Sequence, residues 1–249
     1  MVDVLDLKRT YDRIKTYVVE SGFKNEIEWQ EDINFEQIRE SDFLRESAWV
    51  ILCTGMNVNV IRKYFRDISL CFYNWESSKK IVEMKKYCIE SASLYFRNYR
   101  KIYAIAQVSD IMASTGFKKI KQLLEHSPIE TLQQFPFIGP ITAFHLAKNL
   151  GLPFAKADRH LSRITKALGY NNVQELCDYI SEKTGDTVQV VDIVLWRYAT
   201  LVKNYANEFL KIKSSLVLNI LGEAGTQRAQ RKTPKVAEAP PTVTAGWVG

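Results

Sequence analysis

The amino-acid sequence predicts an all-α protein, and three observations carry that expectation. Apolar residues return at helical spacing, beginning with Val4, Leu7, Tyr11, Ile14 and Val18. Start and stop signals frame the apolar segments: Pro128 behind Ser127, Pro140 behind Gly139, and glycines at 22, 151 and 169. The one segment that opens with β-branched residues, 188–205, continues past Trp196 as an apolar and aromatic run too long for a strand, so it is read as a helix.

A chain of 249 residues can bury a substantial core, and 46% hydrophobic with 25% charged residues is ordinary for a globular protein. Residues 1–221 are read as one domain, either one compact unit or two intimately packed lobes. From Gly222 the composition turns small, polar, basic and proline-containing, so 222–249 cannot bury a core and is expected to be a disordered tail. A formal charge of +6 and a pI of about 9.0 favour a polyanionic partner without identifying it. No stretch approaches the roughly 18 apolar residues of a membrane span, and the first residues are charged where a signal peptide needs an apolar run. A soluble, intracellular, cytoplasmic protein is therefore expected. Cys53, Cys71, Cys88 and Cys177 are scattered without CxxC spacing, which argues against disulfides and zinc.

Taken in order, the first amphipathic helix ends at Gly22, and residues 23–34 read as polar and irregular, with Trp29 pinning the loop to the core and a base-pocket role as its alternative. Residues 41–65 predict a helix, a break near Thr54-Gly55 and a second helix; there Met56 can be core filler and Asn57 an N-cap. Arg97, Arg100 and Lys101 precede the apolar positions Ile102, Ile105 and Val108 and read as a solvated charged face, and Lys118, Lys119 and Lys121 form a second basic cluster. After residue 158, Leu161, Ile164 and Leu168 mark the buried side of a helix closed by Gly169, with Arg159, Arg163 and Lys166 on its other side. Asn172 caps a helix running to about Lys183.

Residues 131–164, TLQQFPFIGPITAFHLAKNLGLPFAKADRHLSRI, organise the rest. Ser127-Pro-Ile-Glu130 reads as a capping box with proline at the first helical position. A four-residue turn, Pro136-Phe-Ile-Gly139, follows, and Pro140 opens a second helix whose Ala143, Ala147 and Leu150 share one close-packing face. A helix start exposed by so tight a turn offers free N–H groups and a positive dipole end. It is an anion site, and on a basic protein the expected anion is a nucleic-acid phosphate.

These residues resemble the helix-hairpin-helix DNA glycosylases, the HhH-GPD superfamily that includes endonuclease III, the adenine and 8-oxoguanine glycosylases and the alkylbase glycosylases. The family hairpin runs roughly L-x-x-L-P-G-[IV]-G-x-[K or other]-T-A. Against it the chain offers Leu132, Phe135, Pro136, Phe137, Ile138, Gly139, Pro140, Ile141, Thr142 and Ala143. The family's D-x-H-x-x-R follows as Asp158, His160 and Arg163, with Asp158 lying 17 residues beyond Ile141. Two positions depart from the pattern. Ile141 stands where bifunctional members carry the Schiff-base lysine, and Phe137 replaces the first hairpin glycine, so the left-handed backbone that glycine permits is not guaranteed. Only Cys177 follows Asp158, so the iron–sulfur loop of some relatives is absent.

The resemblance implies a two-lobed helical fold with a cleft, the terminal helices forming one lobe and about 41–150 the other. It implies a monomeric, monofunctional enzyme that flips a damaged or modified base out of double-stranded DNA and hydrolyses its N-glycosidic bond in DNA repair, or in antiviral defence against hypermodified phage bases. A non-catalytic helix-hairpin-helix DNA-binding module is the alternative. Asp158 is the expected catalytic carboxylate, stabilising an oxocarbenium-like sugar and orienting water, although an isolated aspartate here would read as an N-cap. Gly139, Pro140, Ile141 and Thr142 would grip phosphate, Met56 or Asn57 would fill the vacated stack, and His160 and Arg163 would contact DNA locally. No cofactor is expected, and no catalytic metal, since His126 and His145 lack ligand partners at useful spacing; at most the hairpin carbonyls would hold a monovalent ion. Lys156 reads as lying on the wrong side of its loop to replace the missing lysine. Trp196 and Tyr198 read as core packing, with a base-pocket role as the alternative.

Overall fold

Capping side chains start the helices where the sequence offers them. The computed structural model describes residues 4–210, with side chains from residue 7. In it Asn57, Asn172 and Thr187 each accept a main-chain N–H from the helix that follows. Gly169 and Gly185, both at φ 84°, close the preceding helices in the left-handed conformation. The helices are α1 (Val4–Val18), α2 (Lys24–Asp32), α3 (Glu40–Cys53), α4 (Val58–Cys71), α5 (Ser78–Glu83), α6 (Lys85–Tyr95) and α7 (Tyr99–Thr115). They continue with α8 (Phe117–His126), α9 (Pro128–Leu132), α10 (Pro140–Asn149), α11 (Arg159–Leu168), α12 (Val173–Thr184) and α13 (Val188–Leu201). No strand occurs among the described residues, so the fold is all-α. The tail proposed for 222–249 and the boundary at 221 lie outside the described residues.

Burial divides the apolar residues into two clusters. One runs from Phe35 to Leu152 and includes Phe43, Ile51, Ile61, Phe72, Ile102, Leu132, Ala143, Ala147 and Leu150. The other joins the two ends of the described chain: Leu7, Tyr11, Ile14 and Val18 of α1 pack with Leu161, Ile164, Leu176, Val191, Leu195 and Phe209. The chain crosses between them after Ile27 and again after Leu152. At the second crossing Gly151 (φ 83°) lies so close to the first that an added Cβ would stand 2.8 Å from the Phe35 nitrogen. Only glycine fits both that backbone and that approach.

Several sequence expectations need correction. Residues 23–34 are not irregular, since 24–32 form α2; only Ile27 and Gln30 are buried on this polar helix, which left little periodicity to read. The Ser127 capping box does not form. Ser127 sits at φ −141°, ψ 68° and makes no side-chain cap, and the helix it precedes is five residues long. The first helix ends at Val18, and a π-turn over Val19–Phe23 carries Gly22 at φ 89°. Lys101 is not on a solvated face: it is buried, and its ammonium donates to the carbonyls of Leu52 (2.7 Å) and Thr54 (2.5 Å). It thereby satisfies orphan acceptors at the end of α3.

Candidate functional site

A cavity of about 760 Å³ opens between the two clusters, with walls drawn from both. That size falls within the roughly 300–1,000 Å³ of small-ligand sites. Asp158 is part of its wall. The carboxylate is the N-cap of α11: Oδ1 accepts the N–H groups of His160 (2.8 Å) and Leu161 (3.0 Å), which leaves Oδ2 outside those bonds. The capping and cavity-lining roles coexist in one side chain.

Asp158 reaches the cavity because its loop is pinned from α13. Asp192, 1% exposed, receives the Lys148 ammonium of α10 on Oδ1 and the Lys156 main-chain N–H on Oδ2 at 2.7 Å. One buried carboxylate thus joins the helix behind the 136–139 turn to the loop that carries Asp158. Residues 156 and 158 both line the cavity while Ala157 between them is exposed, the alternation of extended backbone. Lys156 is therefore in the site, contrary to the reading that put it on the wrong side of its loop. Burial, and then the neighbouring Lys148 charge, lowers its pKa below the ordinary lysine value. His145 on α10 lines the same wall, and burial with the Lys156 and Lys148 charges holds its pKa well below the usual imidazole range.

The remaining wall is aromatic and ionic. Trp29, Trp49, Phe65 and Trp196 line it, with Trp49 and Phe65 edge to face at 5.1 Å and the Arg197 guanidinium over the Trp196 ring at 4.8 Å. Trp29 is 40% exposed, so it does not pin a loop to the core, and Trp196 is a cavity residue, whereas Tyr198 is buried in the second cluster. Glu26 takes Arg197 at 2.6 Å and Arg62 at 2.8 Å, linking α2 and α13 to α4 across the cavity. Burial pushes the Glu46 carboxyl pKa up, and its oxygens accept from Arg45 (3.0 Å) and Asn149 (2.9 Å).

The other expected site residues divide into those on the cavity and those outside it. Met56 and Asn57 line it; Met56 is 39% exposed and so is not core filler, and Asn57 also caps α4 through the Asn59 N–H at 2.9 Å. His160 lines it, with Nδ1 3.1 Å from the Tyr205 hydroxyl. Arg163 is exposed on α11 and is not part of the wall. Gly139, Pro140, Ile141 and Thr142 lie outside the wall at the start of α10, the helix that supplies His145 and Lys148 to it. Phe137 adopts φ 62°, the left-handed backbone a glycine would have given. Gly139 is not an available donor: its N–H goes to the Thr142 hydroxyl at 2.7 Å. Pro140 has no N–H and Ala143 bonds back to Gly139, so the amides left for an anion are those of Ile141 and Thr142.

Sequence reasoning missed Glu26, Glu46, Arg62, Lys148, Asp192 and Arg197. For Lys148 and Asp192 a signal existed, since each is a charge set inside an otherwise apolar run, a pattern that demands a buried partner. Among the described residues no three His, Cys, Asp or Glu side chains gather to hold a metal ion. No described helix is long and apolar enough to cross a membrane. Compared with models of protein families, with curated proteins and with solved structures, the chain matches none.

Proposed function

We propose that this protein is a monofunctional DNA glycosylase of helix-hairpin-helix type, with a two-lobed fold whose cleft is the cavity between the two apolar clusters. The observation that carries the reading is the position of Asp158: a carboxylate fixed through Oδ1 at a helix start, on the wall of an aromatic cavity, 17 residues beyond Ile141 of a turn-and-helix unit that supplies the same wall. A base extruded from duplex DNA would enter between the aromatic side chains. The amides of Ile141 and Thr142 would hold the strand's phosphate, and Met56 or Asn57, on the turn braced by Lys101, would occupy the vacated stack.

In this mechanism the C1′–N bond breaks with its electron pair leaving on the base, and the sugar acquires oxocarbenium character. Asp158 stabilises that charge and takes a proton from the water that adds to C1′, leaving an abasic site. Ile141 cannot form an imine, and water rather than the Lys156 amine is taken as the nucleophile; strand nicking with a borohydride-trapped adduct would instead mark a lyase. The test is direct. Purified protein is incubated with duplexes carrying damaged and modified bases, and the supernatant is read by mass spectrometry. Free base and abasic sites cleaved only after alkali are expected. Salt-sensitive binding with no base released from any duplex would leave a backbone-binding module instead.

A further inference from the structure

Among the described residues, two cations of the cavity wall, Lys156 and Arg159, have no carboxylate at ion-pair distance, and of the two only Lys156 is half-buried. Lys148 is taken by Asp192, and Arg62 and Arg197 by Glu26. Glu46 accepts from Arg45 and Asn149. Arg159 is exposed and places its Nε on the His160 ring at 3.3 Å. Among the described cavity residues, Lys156 is the half-buried ammonium with no carboxylate at ion-pair distance, two residues before Asp158 and on the same side of the chain. Its backbone is fixed at both groups: the N–H donates to Asp192, and the carbonyl accepts the Asp158 N–H at 2.8 Å. The groups that face it are His145 and Lys148 from α10, Cys53 from α3, Asp158 at the start of α11 and Asp192 from α13.

A neutral base leaving C1′ carries away the bonding pair and becomes an anion unless it is protonated. A base alkylated to a cation departs already neutral and needs no donor. We infer that the Lys156 ammonium protonates the departing base, and that the site therefore takes bases uncharged before cleavage rather than cationic alkylated purines. The inference rests on the glycosylase reading and assigns its second proton. Lys156 gives a proton to the base, Asp158 takes one from water, and exchange with solvent restores both, so the sum is DNA–base plus water to DNA–OH plus base–H. A cationic lesion would meet an uncompensated positive charge and gain nothing from the donor. Burial of Lys156 makes it a stronger acid than a free lysine, in keeping with the task.

The test compares wild type, Lys156→Gln, Lys156→Arg and Asp158→Asn on four duplex pools: deaminated, oxidised, dimethyl-sulfate-treated, and phage DNA with hypermodified pyrimidines. Released bases are identified by mass spectrometry and single-turnover rates measured. The expected products are uncharged bases. Both Lys156 variants should release them about 10²–10⁴-fold more slowly while keeping wild-type duplex affinity and melting temperature. Arginine keeps the charge and not the acidity, so a wild-type rate in Lys156→Arg would overturn proton donation, as would a wild-type rate in Lys156→Gln. A cationic alkylpurine as the main product would overturn the substrate class. Should the variants not fold, the wild-type rate decides: it should fall on the alkaline side as Lys156 loses its proton, and a flat alkaline limb would overturn the role. Base release that needs Asp158 but not Lys156 removes only this inference, whereas no release by wild type from any pool removes the glycosylase reading as well.

Discussion

At Asp192 a single carboxylate, 1% exposed, holds a lysine ammonium from one helix and a main-chain amide from a loop 36 residues away in sequence. Removing one partner of such a pair leaves an unpaired buried charge, which costs about 3–5 kcal/mol. Asp192→Ala should therefore lower the melting temperature strongly, and the double change Lys148→Met with Asp192→Leu should recover much of the loss. If the double variant melts no higher than the single one, the pair is not the source of the effect. His145 gives a pH dependence with a definite sign. Its folded pKa lies well below the usual 6.5, so between those values the unfolded chain binds more protons. Stability should be level above about pH 6.5 and fall as pH drops below it, by at most about 1.4 kcal/mol per pH unit. Thermal melts of wild type and His145→Gln from pH 7.5 to 5 check this, the variant losing less.

Among the elements, the turn between α9 and α10 carries a local cost. Phe137 is 41% exposed at φ 62°, a backbone that disfavours any residue with a Cβ by roughly 1–2 kcal/mol. Phe137→Gly should raise the melting temperature if nothing but conformation is at stake. Weaker duplex binding in the same variant would show that the exposed ring touches the DNA. Gly151→Ala has the opposite sign: φ 83° and a Cβ 2.8 Å from the Phe35 nitrogen predict a loss of at least about 1–2 kcal/mol on denaturant unfolding. Elements with local signals were legible from sequence. Pro140, Gly151, Asn172 and Gly169 stand at the ends they predict because proline, glycine and asparagine act through their own backbone geometry. Helix α2 was not legible, since it buries little of itself; its Glu26 and Trp29 instead supply the cavity. The Ser127 box does not form because Ser127, at φ −141°, ψ 68°, makes no side-chain cap, a backbone state the four-residue pattern does not contain. It sits against a single-turn helix whose Thr131 hydroxyl turns back to the Leu123 carbonyl at 3.4 Å.

At the scale of the whole molecule, both apolar clusters supply the cavity wall, so its members are scattered from Glu26 to Thr200. Asp158 could be picked out because its capping geometry is local and its distance from the turn is countable. The placement of Lys156, Lys148 and Asp192 could not be read, because one buried ion pair between α10 and α13, with the Lys156 amide on the same carboxylate, sets it; the charges of Lys148 and Asp192 signalled only that each needed a buried partner. The exposed arginines of α11 lie beside this wall, and on the proposed reading they meet phosphate. Replacing Arg159 and Arg163 by alanine should then weaken duplex binding for all sequences alike. The slope of log K against log salt should fall by about 0.9 for each phosphate no longer neutralised, and an unchanged slope would remove these arginines from the interface. The central claim is that the Asp158 carboxylate performs chemistry in the cavity in addition to capping α11. Asparagine can keep the cap through its side-chain oxygen while losing the charge. The decisive measurement is single-turnover base release by Asp158→Asn beside its duplex affinity: unchanged binding with release slowed by about 10²-fold or more is predicted, and release at the wild-type rate would contradict the account.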